Sequence, residues 1–162
     1  MQIKRIEKWL DNSELKGCLK ERKILNWLNE EGSITKRISS VAAFKLEILN
    51  DDFGEAEVEE YEALGLDDEV RIREVILYGD SVPLVYARSI IPTLTATKGY
   101  PGLGTIGSKP LGDLIFHSEL FIKTRREFSK FHNLAEEVVW GRRTHYLVKD
   151  YPLSVMEVFL ST

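Results

Sequence analysis

Hydrophobic and polar side chains alternate with the two-residue period of a β-strand over much of the chain after residue 70. Residues 71–77 and 84–91 are rich in β-branched residues and flank the turn cluster 79–83, which predicts a β-hairpin. Residues 139–148 and 153–160 predict a second hairpin by the same pattern. Two hairpins indicate an antiparallel sheet at the centre of the fold.

The first half of the chain mixes helical and strand-like patterns. Residues 19–31 carry apolar side chains at helical spacing, and Ser33 is a good N-cap for a second, short helix at residues 34–38. A strand pattern follows at residues 41–49. Residues 55–59 then alternate glutamate with small apolar side chains, which predicts a charged edge strand. Helices early and hairpins late predict an α+β fold.

A glycine-rich stretch at residues 95–112 separates the two hairpins. It contains five glycines and two prolines, which is typical of a mobile loop with a function. Pro110 suits the first turn of a short helix that ends near His117. We expect one domain over residues 1–162, with residues 1–18 as an N-terminal extension.

Composition excludes several classes of protein. The chain has 162 residues, of which 43% are apolar, and this is enough for one core. Cys18 is the single cysteine, and the three histidines show no metal-binding spacing, so we expect no disulfide, metal or cofactor. The sequence shows no signal peptide and no apolar run of the ~18–20 residues that span a bilayer. We therefore expect a cytoplasmic protein without a membrane partner.

The charge of the chain is unevenly distributed. The net charge is −4 and the pI is about 5.5, which argues against a nucleic-acid partner. Residues 51–70 hold ten acidic groups and no Lys or Arg, so the other residues carry 16 of the 26 acidic groups against all 22 basic ones. We expect the acidic segment to be a solvated edge, and an anion-binding site elsewhere is compatible with this distribution.

The first hairpin contains two arginines that suit an anionic ligand. If its turn is centred between Asp80 and Ser81, Arg73 lies opposite Arg88 on one face of the sheet. Like charges directly opposed are destabilising, so the pair indicates a site for an anion with two carboxylates, which guanidinium groups bind bidentately. Two alternatives stay open: the register differs by one residue, or acidic residues elsewhere pair with these arginines.

The second hairpin places a carboxylate among apolar residues. A turn at Lys149 and Asp150 sets Arg142 opposite Glu157, and burial of a lone carboxylate is costly. One interpretation is a structural ion pair between Arg142 and Glu157. The other is a carboxyl group that lines a dry pocket and takes part in proton transfer. Burial raises the pKa of a carboxyl group and pairing lowers it, so the sequence gives no net sign.

The order and spacing of several short segments resemble the chorismate lyase family. The similar segments are residues 33–37, 73–77, 83–92, 109–112, 124–125, 140–143 and 152–160. Residues 82–89 are even more similar to a less characterised, chorismate-lyase-like branch of the superfamily. The resemblance implies a single α+β domain with an antiparallel sheet of about six strands and helical flaps over an internal ligand cavity.

The resemblance also implies an enzyme that converts chorismate to 4-hydroxybenzoate and pyruvate without a metal or cofactor. Arg73 corresponds to the cation that binds the ring carboxylate, and Glu157 to the carboxyl group near the ring oxygen. Ile34 and Leu111 correspond to flap positions that contact the ligand through the backbone. The expected catalytic residues are Glu157 and Arg73, and the expected substrate-binding residues are Arg73, Arg88, Ile34, Leu111, Gly112 and Arg142. Residues 95–112 would form a flap that excludes water.

A different functional class shares the implied fold. The effector domains of GntR-type regulators are similar to chorismate lyases and bind small molecules without catalysis. They follow a winged-helix domain, for which the segment before the matching region is too short here. We therefore favour the enzyme over a non-catalytic carboxylate-binding or sensor domain. The implied ligands are chorismate and 4-hydroxybenzoate, the product would serve ubiquinone or methanopterin biosynthesis, and we expect a monomer or a weak homo-oligomer.

Overall fold

A curled antiparallel sheet of seven strands forms the centre of the protein in a computed structural model that describes residues 3–161. The strands are β1 (Lys4–Arg5), β2 (Phe44–Gly54), β3 (Val70–Gly79), β4 (Val82–Pro92), β5 (Phe121–His132), β6 (Val138–Val148) and β7 (Tyr151–Phe159). Their order across the sheet is β1-β5-β6-β7-β4-β3-β2. Strand β7 thus joins the hairpin β3–β4 to the strands β5 and β6.

Five short helices connect and cover the strands. They are α1 (Asn12–Cys18), α2 (Arg22–Leu28), α3 (Ile34–Ser39), α4 (Val58–Leu64) and α5 (Leu111–His117). A π-helical turn at Thr95–Gly99 and a 3-10 turn at Leu103–Thr105 lie between β4 and α5. Across the residues described, no helix is both long and apolar enough to cross a membrane.

The two faces of the sheet are covered by different elements. On one face, Val75, Leu77 and Ala87 belong to a core cluster shared with helices α1, α2 and α3. On the other face, helix α4 packs through Leu64 on a cluster that contains Ile72 and Ile90. Neighbouring residues of a strand point to opposite faces, so each strand serves both layers.

The α+β class, the antiparallel sheet and both hairpins are confirmed. Six long strands match the expected number, and the two-residue β1 is an addition at the edge. The predicted edge strand at residues 55–59 is wrong, because β2 is the edge and this segment leads into α4. Glu57 and Glu60 form a capping box at the start of α4, and these local hydrogen bonds favour a helix over the alternating pattern.

Candidate active site

A cavity lies between the sheet and the first turns of helices α3 and α5, and we call it the inner cavity. Its lining residues are Ile34, Thr35, Leu46, Arg73, Val75, Leu77, Ala87, Ser89, Pro110, Leu111, Gly112, Val155 and Glu157. Arg73 and Glu157 are the charged members of this mainly apolar lining. The site thus combines one cation, one carboxylate and little water-exposed surface, which suits a small aromatic or cyclic carboxylate.

Arg73 is held in the inner cavity by two contacts. Its side chain is 2% exposed, its Nη1 donates to Oδ2 of Asp51 at 3.0 Å, and its Nη2 donates to the carbonyl oxygen of Lys109 at 2.7 Å. A guanidinium group has five N–H donors, so donors remain for a ligand carboxylate. The Lys109 contact also ties the chain just before α5 to the sheet.

Glu157 lies opposite Arg142, in the register that the sequence predicts. Nε of Arg142 donates to Oε1 of Glu157 at 2.9 Å, and Nη1 of Arg142 donates to the carbonyl oxygens of Leu28 and Glu30 at 3.0 and 2.7 Å. The ion pair between Arg142 and Glu157 is thus present, and the same carboxylate also lines the inner cavity. Arg142 holds the carboxylate in place and does not itself line the inner cavity.

The expectation that Arg73 and Arg88 share a face is wrong. Arg73 pairs with Ser89 and Glu74 pairs with Arg88, because a β-bulge near the turn shifts the register by one residue. Arg88 therefore points to the opposite face, where its Nε and Nη2 donate to the two carboxylate oxygens of Glu60 at 2.9 and 2.8 Å. Hydrogen bonds from Arg88 to Glu60 raise the pKa of Arg88 and keep it charged. Arg88 does not line the inner cavity.

The first turns of α3 and α5 form the cover of the inner cavity. Ile34 and Leu111 begin the two helices, and the first backbone N–H groups of a helix have no partner within it. Ser33 Oγ caps α3 and donates to Oδ1 of Asp113 at 2.6 Å, which ties the two helices together. Ile34, Leu111 and the neighbouring Gly112 thus line the inner cavity at the starts of the two helices.

The glycine-rich stretch is more packed than its composition suggests. Thr95 Oγ1 donates to the carbonyl oxygen of Pro152 at 2.6 Å, and Leu103 and Ile106 are buried in a cluster with β7. Within this stretch, residues 110–112 line the inner cavity. The part that acts as a cover is therefore the short segment at the start of α5.

A second pocket, the side pocket, opens beside the inner cavity. It is lined by Glu31, Gly32, Ser33, Gly112, Ile115, Phe116, Ser118, Phe121, Lys123, Arg126, Arg142, Tyr146, Val155 and Glu157. The two spaces share Gly112, Val155 and Glu157, so Glu157 lies at their junction. Burial, together with the charge of Glu157, raises the pKa of Tyr146, so this phenol is neutral near pH 7.

Comparison with known proteins assigns the chain to a family. The family model described as chorismate lyase matches residues 5–162. The chain belongs to the chorismate lyase family. The resemblance inferred from the sequence is confirmed. The probable chorismate pyruvate-lyase 2 of Pseudomonas entomophila is 33% identical over 94% of this chain and 87% of its own length. The chorismate pyruvate-lyase of Pectobacterium atrosepticum is 30% identical over 83% of this chain and 75% of its own length.

Solved structures share the fold at low sequence identity. PhnF from Mycobacterium smegmatis superposes with a TM-score of 0.62 at 15% identity, over 81% of this chain and 64% of that chain. A GntR-family transcriptional regulator from Enterococcus faecalis superposes with a TM-score of 0.51 at 11% identity, over 75% of this chain and 93% of that chain. These similarities concern the fold alone.

Several residues of this chorismate lyase family site were not expected from the sequence. Asp51 was assigned to a solvated edge, yet it holds Arg73. Ser89 follows directly from the correct register, and Tyr146 lies four residues after Arg142 on the same face of β6. Arg126 lies on β5, a strand whose inward positions were not assigned. Over residues 3–161, no group of three His, Cys, Asp or Glu side chains is arranged to hold a metal ion.

Proposed function

We propose that this protein converts chorismate to 4-hydroxybenzoate and pyruvate, with Arg73 and Glu157 as the principal groups of its site. The observation that carries the proposal is a mainly apolar cavity with one buried arginine and one carboxylate in its wall, in a chain of the chorismate lyase family. We also propose that the protein acts in the cytoplasm, binds its product in the same cavity, and is a monomer or a weak homo-oligomer.

Arg73 binds the ring carboxylate of chorismate, assisted by backbone N–H groups of Ile34 and Leu111. Glu157 then lies beside the ring oxygen and the enolpyruvyl ether. The bond between the ring and the ether oxygen breaks, the ring loses a hydrogen and becomes aromatic, and the departing fragment gains a proton at its methylene carbon to give pyruvate. Glu157 assists this proton transfer, and Arg142 holds its carboxylate.

The reaction itself makes modest demands on the protein. Aromatisation of the ring is strongly favourable, so positioning and preorganised charge supply most of the catalysis. Arg73 is already held by Asp51 and the carbonyl group of Lys109, so little reorganisation precedes binding. Closure of residues 110–112 over the cavity keeps water away from the reacting ether.

The test is to mix the purified protein with chorismate, without added metal, and to measure 4-hydroxybenzoate by absorbance and pyruvate by a lactate dehydrogenase assay. We expect the two products in equal amounts. Arg125→Gln serves as a control, since Arg125 is exposed and lies outside both lined spaces. Tight binding of 4-hydroxybenzoate with no turnover of chorismate would instead indicate a ligand-binding protein with this fold.

A further inference from the structure

The side pocket carries a surplus of positive charge. Its cations are Lys123, Arg126 and Arg142, and its carboxylates are those of Glu31 and Glu157. Lys123 pairs with Glu31 at 2.6 Å, and Arg142 pairs with Glu157 at 2.9 Å. Arg126 therefore shares Glu31, at the longer distance of 3.6 Å, with Lys123 and has no acid of this pocket to itself.

Arg126 is held by neutral groups. Its Nε donates to Oγ1 of Thr144 at 2.8 Å, and its Nη1 donates to the carbonyl oxygen of Glu30 at 3.2 Å. Its side chain is only 11% exposed. The nearest carboxylate oxygen from the described part of the chain belongs to Glu31 at 3.6 Å, on a side chain that is 71% exposed.

Other shielded arginines have a closer carboxylate partner than Arg126 has. Those with a carboxylate oxygen within 3.2 Å are Arg71, Arg73, Arg88, Arg142 and Arg143. A shielded cation without such a partner is costly, and burial together with the charge of Arg142 lowers the pKa of Arg126. An anionic ligand at this position would supply the missing partner.

The register of the sheet relates Arg126 to the inner cavity. The inward positions that pair from strand to strand are Arg126, Thr144, Val155, Ser89 and Arg73. Arg126 and Arg73 are thus at two ends of one row, on strands about 19 Å apart at the usual spacing. Glu157 is on β7, the strand midway between them. Arg73 and Arg126 therefore lie on strands at either side of the strand that carries Glu157.

We propose that the side pocket binds the enolpyruvyl carboxylate of chorismate, with Arg126 as its cation. This inference rests on the proposed function. Chorismate carries one carboxylate on the ring and a second on the ether side chain. With the ring carboxylate at Arg73 and the ether beside Glu157, the second carboxylate extends into the side pocket. When the ether bond breaks, 4-hydroxybenzoate stays in the inner cavity and pyruvate forms in the side pocket.

The discriminating measurement compares ligands with one and two carboxylates. In Arg126→Gln we expect KM for chorismate to rise about 10- to 100-fold, the usual value of a charge-assisted hydrogen bond. The Kd for 4-hydroxybenzoate should change less than about two-fold, because this product has no second carboxylate. Arg126→Lys should recover part of the loss. Arg125→Gln, which removes the same charge from the neighbouring exposed position, should leave both constants unchanged.

An equal loss for both ligands, or no loss for either, would overturn the proposal. A second measurement avoids any folding defect of the variant, since it uses the unmodified protein. A crystal structure with 3-(carboxymethoxy)benzoate, a stable benzoate with an ether-linked carboxylate, should place that carboxylate within about 3.2 Å of the Arg126 guanidinium group. Its location elsewhere refutes the subsite, whereas failure of the unmodified protein to release pyruvate refutes the proposed function.

Discussion

Replacement of Arg73 by glutamine isolates the proposed carboxylate anchor. The change removes the positive charge from the inner cavity and keeps a side chain that can donate a hydrogen bond. It also takes one partner from Asp51, which retains Arg71 at 3.2 Å. Arg71→Gln is a matched control, because Arg71 contacts the same carboxylate but does not line the inner cavity.

General values for hydrogen bonds and buried ion pairs give the size of both effects. A charge-assisted hydrogen bond contributes about 2–3 kcal/mol to binding, so Arg73→Gln should weaken binding of 4-hydroxybenzoate about 30- to 150-fold. Loss of one of two partners of Asp51 should lower the free energy of unfolding by about 1–3 kcal/mol. The control should lower stability by a smaller amount, since Arg71 is more exposed than Arg73, and should change ligand affinity less than about three-fold.

Isothermal titration calorimetry measures the affinity, and urea unfolding followed by circular dichroism measures the stability. Comparison with Arg71→Gln separates the two effects, because each variant removes one of the two partners of Asp51 but only Arg73→Gln removes a cation from the inner cavity. We expect both variants to lose stability and only Arg73→Gln to become a weak binder. If Arg73→Gln binds 4-hydroxybenzoate as tightly as the unmodified protein, Arg73 is not the anchor.

Three further changes test other parts of the molecule. Glu157→Gln should lower kcat for chorismate by about 100-fold or more, and an unchanged kcat would remove its role in proton transfer. Burial alone would raise the pKa of Glu127, but hydrogen bonds and charge from His145 and Arg143 lower it from 4.5 to about 2. Ionised Glu127 therefore stabilises the fold above pH 4.5, and this contribution is lost as the pH falls toward 2. Glu127→Gln should remove this loss and so flatten the acidic part of a plot of Tm against pH. Gly112→Ala should stabilise α5 by about 0.5–1 kcal/mol, because the added methyl group meets no protein atom within 4 Å, and a lower Tm would contradict this. The same variant should raise KM for chorismate several-fold, because the methyl group lies where both pockets meet.

The two hairpins show which parts of the site the sequence could predict. The hairpin β6–β7 has a regular two-residue turn, so counting back from the turn correctly places Arg142 opposite Glu157. The hairpin β3–β4 begins with the same kind of turn, but the pairing shifts by one residue between Leu77 and Tyr78. A one-residue shift moves every later side chain to the other face of the sheet. Arg88 therefore lies on the face opposite to the inner cavity and not beside Arg73 as predicted. No local pattern marks this bulge, since both registers place apolar residues inward.

The acidic segment also has a meaning that its composition does not reveal. Three of its ten acidic residues pair with shielded arginines: Asp51 with Arg71 and Arg73, Glu59 with Arg143, and Glu60 with Arg88. A shielded guanidinium group requires such a partner. Acidic residues that are clustered in the sequence therefore form ion pairs with arginines on other elements of the fold. Periodicity cannot show this, because the partners lie on different elements.

This pairing bears directly on where ligand charge can be bound. A cation that the protein itself neutralises contributes less to the binding of an anion than one that keeps a free side, because the ligand must compete with the internal acid. Arg88 is bound through both oxygens of Glu60 and is closed to a ligand, whereas Arg73 meets a single oxygen of Asp51 and keeps donors that face the inner cavity. Arg126 meets no carboxylate within hydrogen-bonding distance among residues 3–161. The ability of the site to hold a dianion therefore depends on which arginines the acidic segment does not reach. A carboxylate introduced into the side pocket by Ser118→Asp should reduce chorismate binding more than 4-hydroxybenzoate binding, which parallel KM and Kd measurements would show.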